Sequence, residues 1–145
     1  MKLKYSLTVL LFAFSVDAVA CKERPMPDKF PINEIEKKSI VVRALVIAAE
    51  IDASGAYEKT KSFKARVVKS YQGNLVAGAV FEGTSAEEAA RAVCPVHLSK
   101  NFQYVMVLHE NNGVYAISRF TLTPRSDWPR YGRYKKQLDK AFKRK

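Results

Sequence analysis

The chain has little of what catalytic constellations are made from. Its 145 residues include two cysteines, two histidines and six glycines. His97 and His109 are too few and too isolated to build a metal cluster. The glycines form neither a phosphate loop nor a dinucleotide fingerprint, and no serine stands in a nucleophile elbow. Acidic residues number 14 against 25 basic ones. Glu87 and Glu88 are adjacent, and neighbours on a helix diverge, so they make a poor acid/base pair. Beyond the first residues no apolar run is long enough to cross a bilayer, and there is no internal repeat or low-complexity tract. An enzyme is not expected, and no cofactor is expected.

What is present begins at the N-terminus. Lys2 and Lys4 precede an apolar stretch from Leu7 to Val16, and Ala18-Val19-Ala20 is a small-x-small cleavage site. Residues 1–20 therefore read as a secretory signal. Cleavage makes Cys21 the first residue of the mature chain. Export places the protein in a secreted or periplasmic, oxidising space, where Cys21 and Cys94 are expected to form a disulfide. Closing that loop would stabilise the fold by roughly 4 kcal/mol on the chain-entropy argument. A second fate stays open. Val19-Ala20-Cys21 also suits lipid attachment, which would anchor the protein to the envelope, although Ala18 and Asp17 fit that pattern poorly.

The charge is uneven. The chain carries +11, and losing Lys2, Lys4 and Asp17 leaves +10. Residues 125–145 alone hold +7. Within this tail Tyr131, Tyr134, Leu138, Ala141 and Phe142 fall close to helical spacing, with Arg130, Arg133, Lys135, Lys136, Lys140 and Lys143 between them. Such a basic amphipathic tail fits an anionic membrane surface or an acidic polysaccharide. A basic barrel can also take nucleic acid, but export makes that a poor partner.

Strand signals fill the middle. Ile40 to Ile51 is β-branched and apolar; Ser62 to Tyr71 and Phe102 to His109 alternate; Ala79 to Glu82 can be a short strand. Asn111-Asn112-Gly113 predicts a hairpin turn with a return strand over Val114 to Leu122. Asn33 with Glu36, and Ser85 with Glu88, have capping-box spacing and predict short helices over Asn33–Lys38 and Ser85–Val93. Cys21 to Pro31, with three prolines, predicts an extended arm. The sum is mainly β: a five-stranded, OB-fold-like closed barrel with short helices and a basic C-terminal helix. The expected organisation is a signal (1–20), one barrel domain (21–128) and a basic tail (129–145), with the protein a monomer and Trp128 a packing plug.

Several of these residues, in this order, resemble the inhibitory domain of the tissue inhibitors of metalloproteinases, within the netrin-like domains. Cys21 resembles the family's first mature residue. Ile40-Val41-Val42-Arg43-Ala44 resembles its first strand, Tyr71-Gln72-Gly73 its Tyr-Lys-Gly turn, and Val93-Cys94 the pair whose cysteine bonds the N-terminal one. Phe102 to Leu108, Gly113 and Tyr115 to Ser118 resemble the closing hairpin, and Phe120, Pro124 and Trp128 echo a Phe…Pro…Trp segment. The resemblance implies a metalloproteinase as partner. The α-amine and carbonyl oxygen of Cys21 would chelate the protease's catalytic zinc. Lys22 would enter its primed-side pocket, Glu23 and Arg24 would extend the contact, and Ala90, Arg91, Ala92 and Val93 would form a neighbouring ridge.

The departures are specific. Where the family has a small second residue this chain has Lys22, whose ammonium a deep apolar pocket resists. Glu23, Glu36 and Ser118 stand where the family has cysteines, so two of its three bridges are missing. The alternative reading is a non-inhibitory cell-envelope binding or structural module, anchored by its basic tail or by a lipid on Cys21. Intact mass and N-terminal sequencing of the exported protein should give a chain starting at Cys21 with a free amine, lighter by two hydrogens than its reduced form. An acyl mass on Cys21 would establish the lipid-anchored alternative instead.

Overall fold

The protein is seen as a computed structural model that describes residues 26–54, 58–85, 96–118 and 122–143. Five strands, β1 (Ile40–Asp52), β2 (Lys59–Gln72), β3 (Val80–Thr84), β4 (Gln103–Asn111) and β5 (Val114–Ile117), precede one α-helix, α1 (Tyr131–Ala141). The strands close into a barrel in the order β1-β2-β3-β5-β4. Every pairing is antiparallel except β3 with β5, where only Gly83–Tyr115 and Thr84–Ala116 pair, in parallel. The expected mainly β, five-stranded closed barrel with a C-terminal helix is the architecture observed.

β1 is the strand on which the barrel turns, because it pairs with β2 along its length and with β4 from Ile40 to Leu45. Its pairing with β2 shifts register four times, and such bulges raise the twist that lets two long strands curl into a closed sheet. Ile40, Val42, Ala44 and Val46 point inward, onto Phe63, Ala65, Val67, Phe81, Tyr104, Met106, Leu108 and Ile117. Leu75 and Leu98 complete this core from the loops. Val41 of β1 with Val105 and Val107 of β4 point outward yet are also buried, under α1. That is why the sequence runs Ile-Val-Val without alternation: both faces are covered.

Two glycine-dependent features fix the closure. Asn112 and Gly113 both have positive φ, +51° and +79°, the backbone of a type I′ two-residue hairpin between β4 and β5. At Gly83 a Cβ would lie 2.6 Å from Phe63 Cζ and 3.0 Å from the Tyr115 carbonyl oxygen, so the narrow β3–β5 seam closes only over a residue without a side chain.

Some segments differ from the sequence reading. The helix expected over Asn33–Lys38 is a 3-10 turn at Ile32–Glu34, with Asn33 inside it and no side-chain cap. The turn ends because Ile35 has extended backbone, φ −76° and ψ 120°. The segment after it is fastened to β2 by Gln72, whose Nε2 donates to the carbonyls of Glu36, Lys37 and Ser39 at 3.0, 3.2 and 2.7 Å. The return strand expected to Leu122 is seen over Val114–Ile117, and residues 119–121 lie outside the described part. The helix expected over Ser85–Val93 also lies outside it, apart from Ser85.

Substituting Gly83→Ala should destabilise the protein by about 1–3 kcal/mol through overpacking. Gly132→Ala, in open space on α1, should stabilise it by about 0.5–1 kcal/mol. Urea unfolding of the two variants checks both signs.

Candidate functional site: the N-terminal arm and the helix that holds it

The arm enters the described structure at Met26 and runs beside α1. Pro27 and Pro31 have no amide hydrogen, so this segment cannot join a sheet ladder and offers mainly carbonyls. The helix supplies the matching donors. Arg130 Nη1 donates to the Met26 carbonyl, and the Tyr134 hydroxyl donates to that of Pro27. One residue beyond the Asp28-Lys29 bend the polarity reverses, and the Phe30 amide donates to Gln137 Oε1 at 2.9 Å. The Phe30 ring meets Tyr134 edge to face at 5.7 Å. Arg130 Nη2 also lies 3.2 Å from Asp28 Oδ1. Each such hydrogen bond contributes about 1 kcal/mol net, and the buried rings contribute more.

The helix in turn is held by the barrel. Tyr131, Tyr134 and Leu138 are buried against Phe30, Val41, Tyr71, Val105 and Val107. Trp128 packs at the edge of this outer layer, not in the barrel's mouth. At the far end of α1, Lys69 Nζ donates to Asp139 Oδ1 at 2.6 Å, and Phe142 meets the Tyr71 ring at 6.0 Å. The Lys69 bond holds the Asp139 carboxyl below its usual range. Burial, with Asp139 nearby, pushes the Tyr71 phenol up, and burial does the same to Tyr131. Among the described residues the Tyr131 hydroxyl and Arg43 Nε are buried without a hydrogen-bond partner.

The residues expected to meet a protease, Cys21, Lys22, Glu23, Arg24, Ala90, Arg91, Ala92 and Val93, lie outside the described part, and so does Cys94. Their flanks are fixed. Val96 accepts the Thr60 amide at 2.9 Å, and the Leu98 amide donates to Thr60 Oγ1 at 2.7 Å, which ties this flank to the start of β2. Met26 lies beside the first residues of α1. The Ser126–Gln103 hydrogen bond and the Tyr104–Arg125 bridge tie the approach to that helix to the start of β4. β2 and β4 both run antiparallel to β1, so both flanks come in from the same end of the barrel. Four residues lie between Cys21 and Met26, and one lies between Cys94 and Val96.

The six cations expected to meet an anionic surface are split by the fold. Arg130 is engaged with the arm, and Lys135 is half-buried. Arg133, Lys136, Lys140 and Lys143 are exposed. At the opposite end of the barrel Glu36, Lys38, Asn74, His109 and Glu110 line an open cavity of about 500 Å³. His97 sits 3.7 Å from Glu58 at the end where the flanks come in. Among the described residues no three His, Cys, Asp or Glu side chains group as a metal site, and no helix is long and apolar enough to cross a membrane.

Sequence reasoning did not find the arm clamp formed by Arg130, Tyr134 and Gln137. The one available signal was Tyr134 itself: a hydroxyl within an apolar helical stripe needs a polar partner. Fold and arm together define a class, a small closed β-barrel of OB-like topology carrying an external helix that grips its N-terminal segment. No protein-family model, curated protein or solved structure matches the chain.

The raised tyrosines fix an alkaline limit. A folded pKa above the unfolded value of about 10 contributes stability that is complete below that pH and is lost as pH rises past it. The thermal midpoint should therefore fall above about pH 10. Tyr71→Phe removes one of the two raised phenols and should make the alkaline fall shallower. Melting curves against pH measure both.

Proposed function

We propose that the mature protein binds and inhibits a zinc metalloproteinase through the free α-amine and carbonyl oxygen of Cys21, in the manner of the inhibitor family its sequence resembles. The observation that carries this reading is the grip of α1 on Met26, Pro27 and Phe30. An inhibitor that presents a terminal amine to a metal gains affinity when the segment behind that amine is ordered before binding. The family uses three bridges there, whereas this chain has Glu23, Glu36 and Ser118 at cysteine positions. Helix-to-arm hydrogen bonds do the corresponding work close to the terminus. The common approach of both flanks to one end of the barrel is compatible with a Cys21–Cys94 bridge there.

The target differs from proteases with a deep apolar primed-side pocket. Lys22 would be desolvated there without a partner, so the fitting protease has an acidic pocket or one open to water. An ordinary α-amine has a pKa of about 8 and must be neutral to ligate zinc. Inhibition should therefore strengthen by up to about tenfold per pH unit on approaching that value from below.

The test is inhibition of a panel of zinc metalloproteinases with acidic or apolar primed-side pockets. The mature protein should inhibit members of the acidic group. A variant with one alanine added before Cys21 should fold normally and lose at least about a hundredfold in affinity, since it displaces the chelating amine. Equal inhibition by the extended variant would eliminate chelation, and no inhibition of any member by the mature, free-amine protein would leave the envelope-module reading in its place.

A further inference from the structure

We propose that the outer face of α1 is a binding strip for a linear acidic polysaccharide, formed by Arg133, Lys136, Lys140 and Lys143. This stands independently of the inhibitor reading. Arg133, Lys136 and Lys140 follow one another at steps of three and four, which at about 100° per residue puts them on one face of the helix, and Lys143 follows three residues on. Tyr131, Tyr134 and Leu138 occupy the opposite line and are buried on the barrel. The row is about 15 Å long at 1.5 Å per residue, with Lys143 just past the end of the helix.

These cations are uncommitted. Among the described residues no carboxylate pairs with Lys136, Lys140 or Lys143, and Arg133 has only Asp28 at 4.0 Å, between exposed side chains. The one acidic residue on the helix, Asp139, is turned to Lys69. Arg130 and Lys135 are not part of the row, because one is spent on the arm and the other is half-buried.

The partner's class follows from what the helix no longer offers. An amphipathic helix binds a bilayer by burying its apolar face in the lipid boundary, and here that face already lies on β1 and β4. Single-stranded nucleic acid needs exposed aromatic rings to stack on. The large apolar side chains exposed among the described residues are Ile51, Val68, Val76, Val80 and Val114, none of them aromatic. A row of cations with neither an insertion face nor a stacking platform matches a flexible chain bearing carboxylates or sulfates at regular intervals, held by charge alone.

The probes are immobilised heparin and a soluble polyuronate, with the mature protein, at several salt concentrations. The wild type should be retained and should elute earlier as salt rises. Replacing Arg133, Lys136, Lys140 and Lys143 by Gln should weaken binding by about fivefold per charge, a loss of several hundredfold, with the melting temperature unchanged. A control with the same charge change, K37Q/K38Q/K64Q/K100Q at exposed positions elsewhere, should keep most of the affinity. An equal loss in both variants would reduce the effect to net charge and overturn the strip. Tighter binding to phosphatidylserine vesicles or to single-stranded DNA than to either polysaccharide, at the same salt, would overturn the assigned partner.

Discussion

The docking of α1 onto the outer faces of β1 and β4 governs the rest of this molecule. Tyr134 is at its centre: its side chain is fully buried, its ring meets Phe30, and its hydroxyl takes the Pro27 carbonyl. Through that residue the last helix, the first described segment and the two central strands become one outer layer. Remove the helix, and Val41, Val105 and Val107 would face water while the arm would lose its hydrogen-bond donors. The barrel has a core of its own, and the second apolar layer adds burial that the barrel alone lacks.

The same docking decides between roles for the basic C-terminal segment. Amphipathic periodicity identifies which face is apolar but not what covers it. Tyr131, Tyr134 and Leu138 would read identically on a lipid surface and on a sheet. The hint lay in β1, whose unbroken Ile-Val-Val run left Val41 with no assigned cover. Two unexplained apolar faces in one small chain are physically complementary, and the structure joins them.

Other elements were legible for local reasons. The β4–β5 hairpin follows from Asn112-Gly113, since both residues tolerate the left-handed backbone that the turn requires. The alternation of Phe63, Ala65 and Val67 with Lys64 and Arg66 gave β2 and its inward face. The Asn33–Glu36 capping box does not form, because Asn33 lies inside the 3-10 turn and the chain turns extended at Ile35. The arm clamp was illegible because its hydrogen bonds join residues 104 to 107 positions apart. The candidate chelating end, from Cys21 to Arg24, was read from the sequence and lies outside the described residues.

The narrow parallel seam between β3 and β5 has a consequence for how the chain acquires its shape. β1 and β2 can pair early, since they are neighbours in sequence. The two-residue seam and the outer layer cannot, because they require β5 and then α1, which follow the other strands in the chain. Closure of the seam and docking of the outer layer therefore wait on contacts between residues far apart in the chain, which are slow to form. For any protein that must thread a translocation pore before folding, such late locking keeps the chain passable until it reaches the far side.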